Sequence, residues 1–159
     1  MPVTIRKGLE DDFPALMKLI NELAEFEKAP NPPKNSAEQM KREREYFNFF
    51  VAEADGRVIG AAVYFFAYYT WVGKSLYLDD FYVIPEYRGK GIGSRLLRKI
   101  FEAAKQADCK RVRFQVIDWN KDAISLYRRR GAEISNEWLN CDFDEDRIRQ
   151  FLEKTKEAE

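Results

Sequence analysis

The sequence predicts a mixed α/β domain, a central sheet flanked by helices, and three observations carry that prediction. Two strand-like runs meet at Asp55-Gly56, a dipeptide that closes antiparallel hairpins. Further along, an apolar strand, an amphipathic helix and a second alternating strand follow one another, a unit whose strands pair parallel. Three alternating glycines separate the first of those strands from its helix. At 159 residues, 45% hydrophobic and 14% aromatic, the chain is long enough to bury a core as one domain spanning residues 1–159 and is far from a disordered composition.

The elements are justified in turn. Val3 to Arg6 is a short strand. From Asp12 onward Leu16, Leu19, Ile20 and Leu23 recur at helical spacing, one apolar stripe of an amphipathic helix. Three prolines between Ala29 and Asn35 forbid a continuous helix there. Ser36 with Gln39 forms a capping box, which starts a second helix ending near Tyr46. Phe49 to Ala54 and Arg57 to Tyr69 make the hairpin, and the second strand is so apolar that it belongs at the sheet centre. Ser75 to Val83 is the next strand, stopped by Pro85. Leu96, Leu97, Ile100, Phe101 and Ala104 define a helix from Ser94 to Ala107. Arg111 to Ile117 alternates as a strand. Lys121 to Arg130 is a helix with Asn120 as its cap and Gly131 as its stop. Glu133 to Phe143 is expected to be a final strand, and Asp144 to Lys156 a polar helix. The expected order is β-α-α-β-β-β-α-β-α-β-α.

Composition removes several classes of chemistry. The chain contains no histidine, so neither a Ser-His-Asp nor a Cys-His nucleophile can be assembled and no histidine-based metal site can form. Two cysteines, Cys109 and Cys141, are too few for a structural zinc site and are expected to be reduced thiols. Acid–base work falls to Asp, Glu, Tyr, Lys or Cys. Lys plus Arg balances Asp plus Glu at 27 each, which gives no general attraction to nucleic acid or membrane. The opening segment turns acidic before an apolar run can develop, and no run approaches the roughly 18 apolar residues of a membrane span. A cytoplasmic location is the expectation.

The informative stretch is Val83 to Gly93, VIPEYRGKGIG, between a strand and a helix. Glycines at 89, 91 and 93 let backbone amides turn inward, and the following helix adds its positive end, together a cradle for a pyrophosphate. The spacing is G-x-G-x-G, not the G-x-G-x-x-G of dinucleotide folds, and Lys90 is followed by Gly91 rather than by the Ser or Thr of a P-loop. What remains is R-x-x-G-x-G, on Arg88, Gly91 and Gly93. Downstream, Asn120, Ala123 and Tyr127 lie at i, i+3 and i+7, one face of a helix that ends at Gly131.

These two motifs resemble the acetyl-CoA signatures of the GNAT N-acetyltransferase superfamily. Leu76 to Val83 (LYLDDFYV) joined to Tyr87 to Ser94 (YRGKGIGS), with Leu23 to Glu27, Trp71 to Lys74 and Tyr127 to Ala132, resembles the spermidine/spermine and thialysine acetyltransferases over nearly the whole chain. The resemblance implies a homodimer that binds acetyl-CoA, needs no metal, and transfers the acetyl group to a primary amine by direct attack in a ternary complex. It implies that Phe81, Tyr82 and Val83 pair by backbone with the pantetheine arm. Arg88, Gly89, Lys90, Gly91, Ile92, Gly93 and Ser94 would hold the pyrophosphate. Asn120, Lys121, Asp122 and Ala123 would touch the cofactor from the second motif, and Arg128 to Arg130 would reach the adenosine phosphate or remain solvated.

An alkyl ammonium with a pKa near 10.4 must lose a proton before it attacks a thioester, and the leaving thiolate needs one. The resemblance implies Tyr127 for the second task. It implies Asp79 for the first, acting through water because Asp is one methylene shorter than the family's Glu. Asp80 can share Asp79's face only if the strand is bulged. Phe26, Glu27, Asp80, Arg113, Phe114, Gln115 and Glu137 fall at substrate-lining positions of the family. An arginine would repel a polyamine, so the Arg113 side chain is expected to turn away. Tyr69 stands where polyamine enzymes tend to carry an acid, which with Asp79 tilts the expected substrate toward a thialysine-like amino acid. Two other classes share the loop: a non-catalytic acetyl-CoA sensor, and a protein or peptide acetyltransferase. The segments around Trp71 and Trp138 read as walls of a small site or as core.

Overall fold

A computed structural model describes residues 2–156, which divide after Ile117 into two compact units. The first holds a five-stranded sheet in the order β1-β2-β3-β4-β5, with β1 Val3–Lys7, β2 Asn48–Ala54, β3 Arg57–Tyr69, β4 Gly73–Val83 and β5 Arg111–Arg113. The strands β1 to β4 run antiparallel, and β5 adds parallel to β4. Asp55 and Gly56 close the β2–β3 hairpin with φ of 50° and 74°, the two left-handed residues that a two-residue turn of matching twist requires.

Helix α1 (Phe13–Phe26) lies on one face of the sheet and α3 (Ile92–Gln106) on the other. Leu16, Leu19 and Leu23 of α1 are buried, as are Ile92, Leu96 and Ile100 of α3, each at the spacing that aims one stripe inward. Full burial of one such side chain contributes about 1.5–3 kcal/mol. Arg6 on β1 donates to both Asp12, at 2.7 and 2.9 Å, and Glu53, at 2.9 and 2.6 Å, which ties the start of α1 to the sheet edge. Between α1 and β2, α2 (Ala37–Arg42) is capped by Ser36, whose Oγ accepts from the Gln39 amide at 3.1 Å. It ends earlier than its sequence pattern suggests, the last expected turn being a 3-10 segment, Arg44–Tyr46.

The second unit contains α4 (Lys121–Arg129) and α5 (Glu145–Thr155). Asn120 Oδ1 accepts from the Ala123 amide at 3.2 Å, and Asp144 Oδ1 from the Arg147 amide at 2.9 Å, so both helices start on the caps their sequence provides. At the other end of α4, Gly131 has φ of 94° and donates to the Arg128 carbonyl, while Ala132 donates to Tyr127. This double closure explains why the helix stops where a glycine stands.

Two expected strands are corrected. Arg111 to Ile117 is a strand only to Arg113. The bulge at Asp79 breaks the register of β4's free edge two residues past the last bridged pair, so the parallel ladder cannot extend. Residues 133–143 form no strand and join no ladder of the described sheet. They alternate poorly, with Glu133, Ser135, Asn136, Glu137, Asn140 and Asp142 among them, so neither face of a strand here would be consistently apolar. Among the described residues no helix is long and apolar enough to cross a membrane.

Candidate active site

In the first unit the site is built on β4. Val63 of β3 pairs with Asp80 and Tyr64 with Leu78, which leaves Asp79 as one extra residue on β4. That is a β-bulge, and it places two successive side chains on the same face instead of opposite faces. The face is the one α1 covers: Asp80 lines a small apolar seam with Leu16, Leu19, Leu23, Ala61, Val63 and Tyr82. The bulge that the sequence requires if both aspartates are to cooperate is therefore present.

Their environments differ. Asp79 keeps solvent access on its outer side, while partial burial of its carboxyl raises it above the ordinary range. Asp80 is half-buried against the apolar seam and is pushed up to about 7, first by burial and then by the negative charges of Asp79 and Glu27. Glu27, the residue that closes α1, is itself raised by burial. Three carboxylates thus converge where α1 ends over the bulge. An acidic cluster of this kind can attract a cation and holds a proton acceptor tuned near neutrality.

The neighbouring edge of β4 is where the ladder with β5 has ended. Bridged pairs run only from Ser75–Arg111 to Tyr77–Arg113, so the backbone of Phe81 to Val83 pairs with β3 on one side and with no described strand on the other. An extended amide-bearing arm can add there as a strand does. At the end of β4 Arg88 Nε donates to the Val83 carbonyl at 2.8 Å, and its guanidinium lies over the rings of Phe26 and Tyr82, at 5.2 and 5.1 Å. Arg88 thereby ties the glycine loop to β4 and to the last turn of α1.

Gly89 and Gly91 have φ of 76° and 77°, a conformation that other residues adopt only under strain, and nothing lies within 4 Å of the position a Cβ would take on either. Gly91 caps α3, so the helix begins at Ile92, two residues before the expected Ser94. The amides of Ile92 and Gly93 stand in the first turn, without an intrahelical acceptor and at the positive end of the helix dipole. A Cβ on Gly93 would come within 3.3 Å of the Phe81 ring, so this glycine lets the helix start close over the strand. Lys90 folds back over Tyr87, 5.0 Å from the ring centroid.

In the second unit, Asn120 acts as the cap of α4, with Lys121 and Asp122 exposed in its first turn and Ala123 half-buried. Tyr127 is half-buried and burial raises its phenol above the ordinary value. Arg128 to Arg130 and Glu137 are exposed.

Three features escape a reading of motifs alone. Phe65 and Tyr77 stack at 5.2 Å on the aspartates' face of the sheet, and Tyr69 continues that face. Arg113 does not turn away: its guanidinium lies over the Tyr69 ring at 5.1 Å, with Arg111 at 4.4 Å, and its charge reaches the Tyr77 phenol. The signal was available in strand parity, since Tyr69 and Tyr77 fall on the same face as Val63 once the bulge is counted. Trp71 and Trp138 are 87% and 81% exposed, so neither is core.

Known proteins resemble this chain in sequence and in fold. Residues 13–132 match the acetyltransferase (GNAT) family. Over 162 aligned residues the chain is 39% identical to a thialysine N-epsilon-acetyltransferase of Mus musculus, covering 92% of this chain and 95% of that one. It is 34% identical to the spermidine/spermine N(1)-acetyltransferase-like protein 1 of Homo sapiens, covering 84% of this chain and 21% of that one. The crystal structure of a predicted acetyltransferase with acetyl-CoA from Clostridium acetobutylicum superposes at a TM-score of 0.73 and 19% identity, over 89% of this chain and 96% of that one, a likeness of fold.

Proposed function

The chain belongs to the acetyltransferase (GNAT) family, and from that premise we propose that it transfers the acetyl group of acetyl-CoA to a primary amine of a small cationic substrate, a thialysine-like amino acid or a polyamine, by direct attack with both substrates bound. The observation that supports this most is the bulged Asp79–Asp80 pair beside Glu27. It supplies both attraction for an ammonium head and a base matched to neutral pH.

Acetyl-CoA, when bound, supplies an activated thioester carbonyl. The residues present fit it. The left-handed Gly89 and Gly91 and the amides of Ile92 and Gly93 suit a pyrophosphate, and the open edge at Phe81 to Val83 suits an amide-bearing arm. Asp79 and Asp80 act as a pair that accepts the ammonium proton, directly or through water, with an upper apparent pKa near 7. The irregular backbone at the bulge leaves an amide outside the ladder, which serves as a donor to the carbonyl oxygen as charge develops on it. Tyr127, protonated at neutral pH because burial raises its phenol, donates to the departing thiolate. We assign the working assembly as a cytoplasmic homodimer. The free thiols Cys109 and Cys141 fit a reducing compartment, and the exposed Trp138 and Leu139 fit a segment made to be covered by a second copy.

Initial rates measured over a grid of acetyl-CoA and amine concentrations test direct attack. Intersecting double-reciprocal lines are expected, and parallel lines with an acetylated protein intermediate would contradict it. Valine at Gly91 would place a β-branched residue at φ of 77° and is expected to raise KM for acetyl-CoA by about 10- to 100-fold, for a strain of about 1–3 kcal/mol at the cradle. The KM for the amine should stay within about twofold. An unchanged KM for acetyl-CoA would remove the loop from the cofactor site.

A further inference from the structure

The sheet face that carries the aspartates also carries two cations the mechanism does not use. Arg111 is bridged to Ser75 and Arg113 to Tyr77, and both guanidinium groups rest on the Tyr69 ring. Among the described residues neither has a carboxylate within ion-pair distance, and Arg111 Nε is buried with no hydrogen-bond partner. A buried guanidinium donor without an acceptor costs free energy that a bound anion would recover. Two guanidiniums against one ring raise the local positive potential, and an anion within their reach relieves it while accepting charge-assisted hydrogen bonds.

The position along the strand says which anion. From Tyr77, which Arg113 faces, to Val83 beside the glycine loop is six residues of β4, about 20 Å at the rise of a strand. That is far from the pyrophosphate cradle. From Tyr77 to the bulged Asp79 is two residues, about 7 Å. The terminal amine and the carboxylate of an extended lysine-length amino acid are about 7 Å apart, given bonds near 1.5 Å, which fits within the stretch of β4 between the arginines' strand partners, Ser75 and Tyr77, and the bulge. A polyamine has no group for the arginines to bind and would bring further positive charge against them.

We propose that Arg111 and Arg113, held against Tyr69, recognise the carboxylate of the amine substrate, so that the enzyme selects an amino acid with a terminal amine over a polyamine. This rests on the acetyl-transfer reading of the same site. The amine end is held by Asp79, Asp80 and Glu27, and the carboxylate end by the arginine pair, so the two charges of the substrate set its direction along β4.

The test is equilibrium binding by titration calorimetry on the full chain, run alongside acetyl-transfer rates. The probes are L-thialysine, the same molecule with hydrogen in place of its carboxylate, and spermidine. The unsubstituted protein is expected to bind thialysine at least about tenfold more tightly than the decarboxylated analogue or spermidine, the size expected of charge-assisted contacts. Arg113→Gln should lose about tenfold in affinity for thialysine alone, and Arg111→Gln/Arg113→Gln should abolish the discrimination. Arg113 is exposed, so its single variant tests the idea even where the double variant fails to fold. Equal affinity for thialysine and its analogue would overturn the proposal, as would equal losses for both on substitution. Discrimination in binding with no acetyl transfer to any probe would leave the carboxylate site standing and refute the acetyl-transfer reading instead.

Discussion

Asp79→Asn is expected to lower kcat/KM for the amine by about 10²- to 10⁴-fold well above neutrality, the range that removal of a positioned general base produces. The solvent-facing member of the pair is the one an incoming ammonium meets, and asparagine keeps its size while removing its basicity. The pH dependence separates the two aspartates. In the unsubstituted protein activity should fall as pH drops through about 7, because the pair must be deprotonated and burial with the Asp79 and Glu27 charges holds Asp80 near that value. Asp80→Asn removes a negative neighbour from Asp79, so the acid limb should move to lower pH. Stability supplies a control on folding. Asp80 is raised in the folded protein, so its contribution is fully present below the ordinary carboxylate range and is lost as pH rises through about 7. Asp80→Asn should therefore be more stable than the parent above pH 7, by about 1–3 kcal/mol after allowance for its partial exposure, with the difference vanishing in acid. Thermal melts across that range check it. A variant that is inactive yet more stable has lost chemistry rather than structure. Retention of full activity by Asp79→Asn, with the acid limb unmoved, would take the base away from this pair.

The second large effect belongs to Tyr127. Its phenol is raised by burial, so it stays protonated through neutral pH and is suited to donate to a thiolate. Tyr127→Phe is expected to lower kcat by about 10²-fold while KM for acetyl-CoA changes little, because only an interaction formed late in the reaction is lost. The ring is retained, so stability should change by no more than about 1.5 kcal/mol. Restoring the rate with an acetyl thioester of a more acidic thiol, which leaves without protonation, would identify the role. A variant equally slow with both thioesters would assign Tyr127 to positioning instead.

Local chemistry made much of this legible in the sequence. The Asp55-Gly56 turn, the caps Ser36, Asn120 and Asp144 and the stop at Gly131 all act within a few residues of themselves, and each does in the structure what its local chemistry dictates. The glycine loop was readable for the same reason. The parts that were not legible depend on what a segment meets far along the chain. Arg111 to Ile117 alternates well enough for a strand, but its length is set by the bulge of the strand it pairs with. Residues 133–143 form no strand, because whether such a segment pairs is decided by what it meets and not by its own residues. The need for a bulge at Asp79 and Asp80 could be reasoned from the two adjacent acids, whereas its consequence could not: which of the two sits against Leu16, Leu19 and Leu23 is decided by α1. Arg113 illustrates the same limit. Repulsion from a cationic substrate argues that it turns away, but a tyrosine two strands across in the sheet offers its ring face and holds it on the side of the site.

The most direct test of the account is release of free CoA thiol from acetyl-CoA by the purified chain, followed with thialysine, lysine, spermidine, spermine and a basic peptide offered in turn. Thiol release is expected to depend on a small amine, to run fastest with an amino acid bearing a terminal amine, and to yield that amine acetylated. Tight binding of acetyl-CoA with no amine-dependent release would contradict it and would make the chain a binding module built on an enzyme's fold.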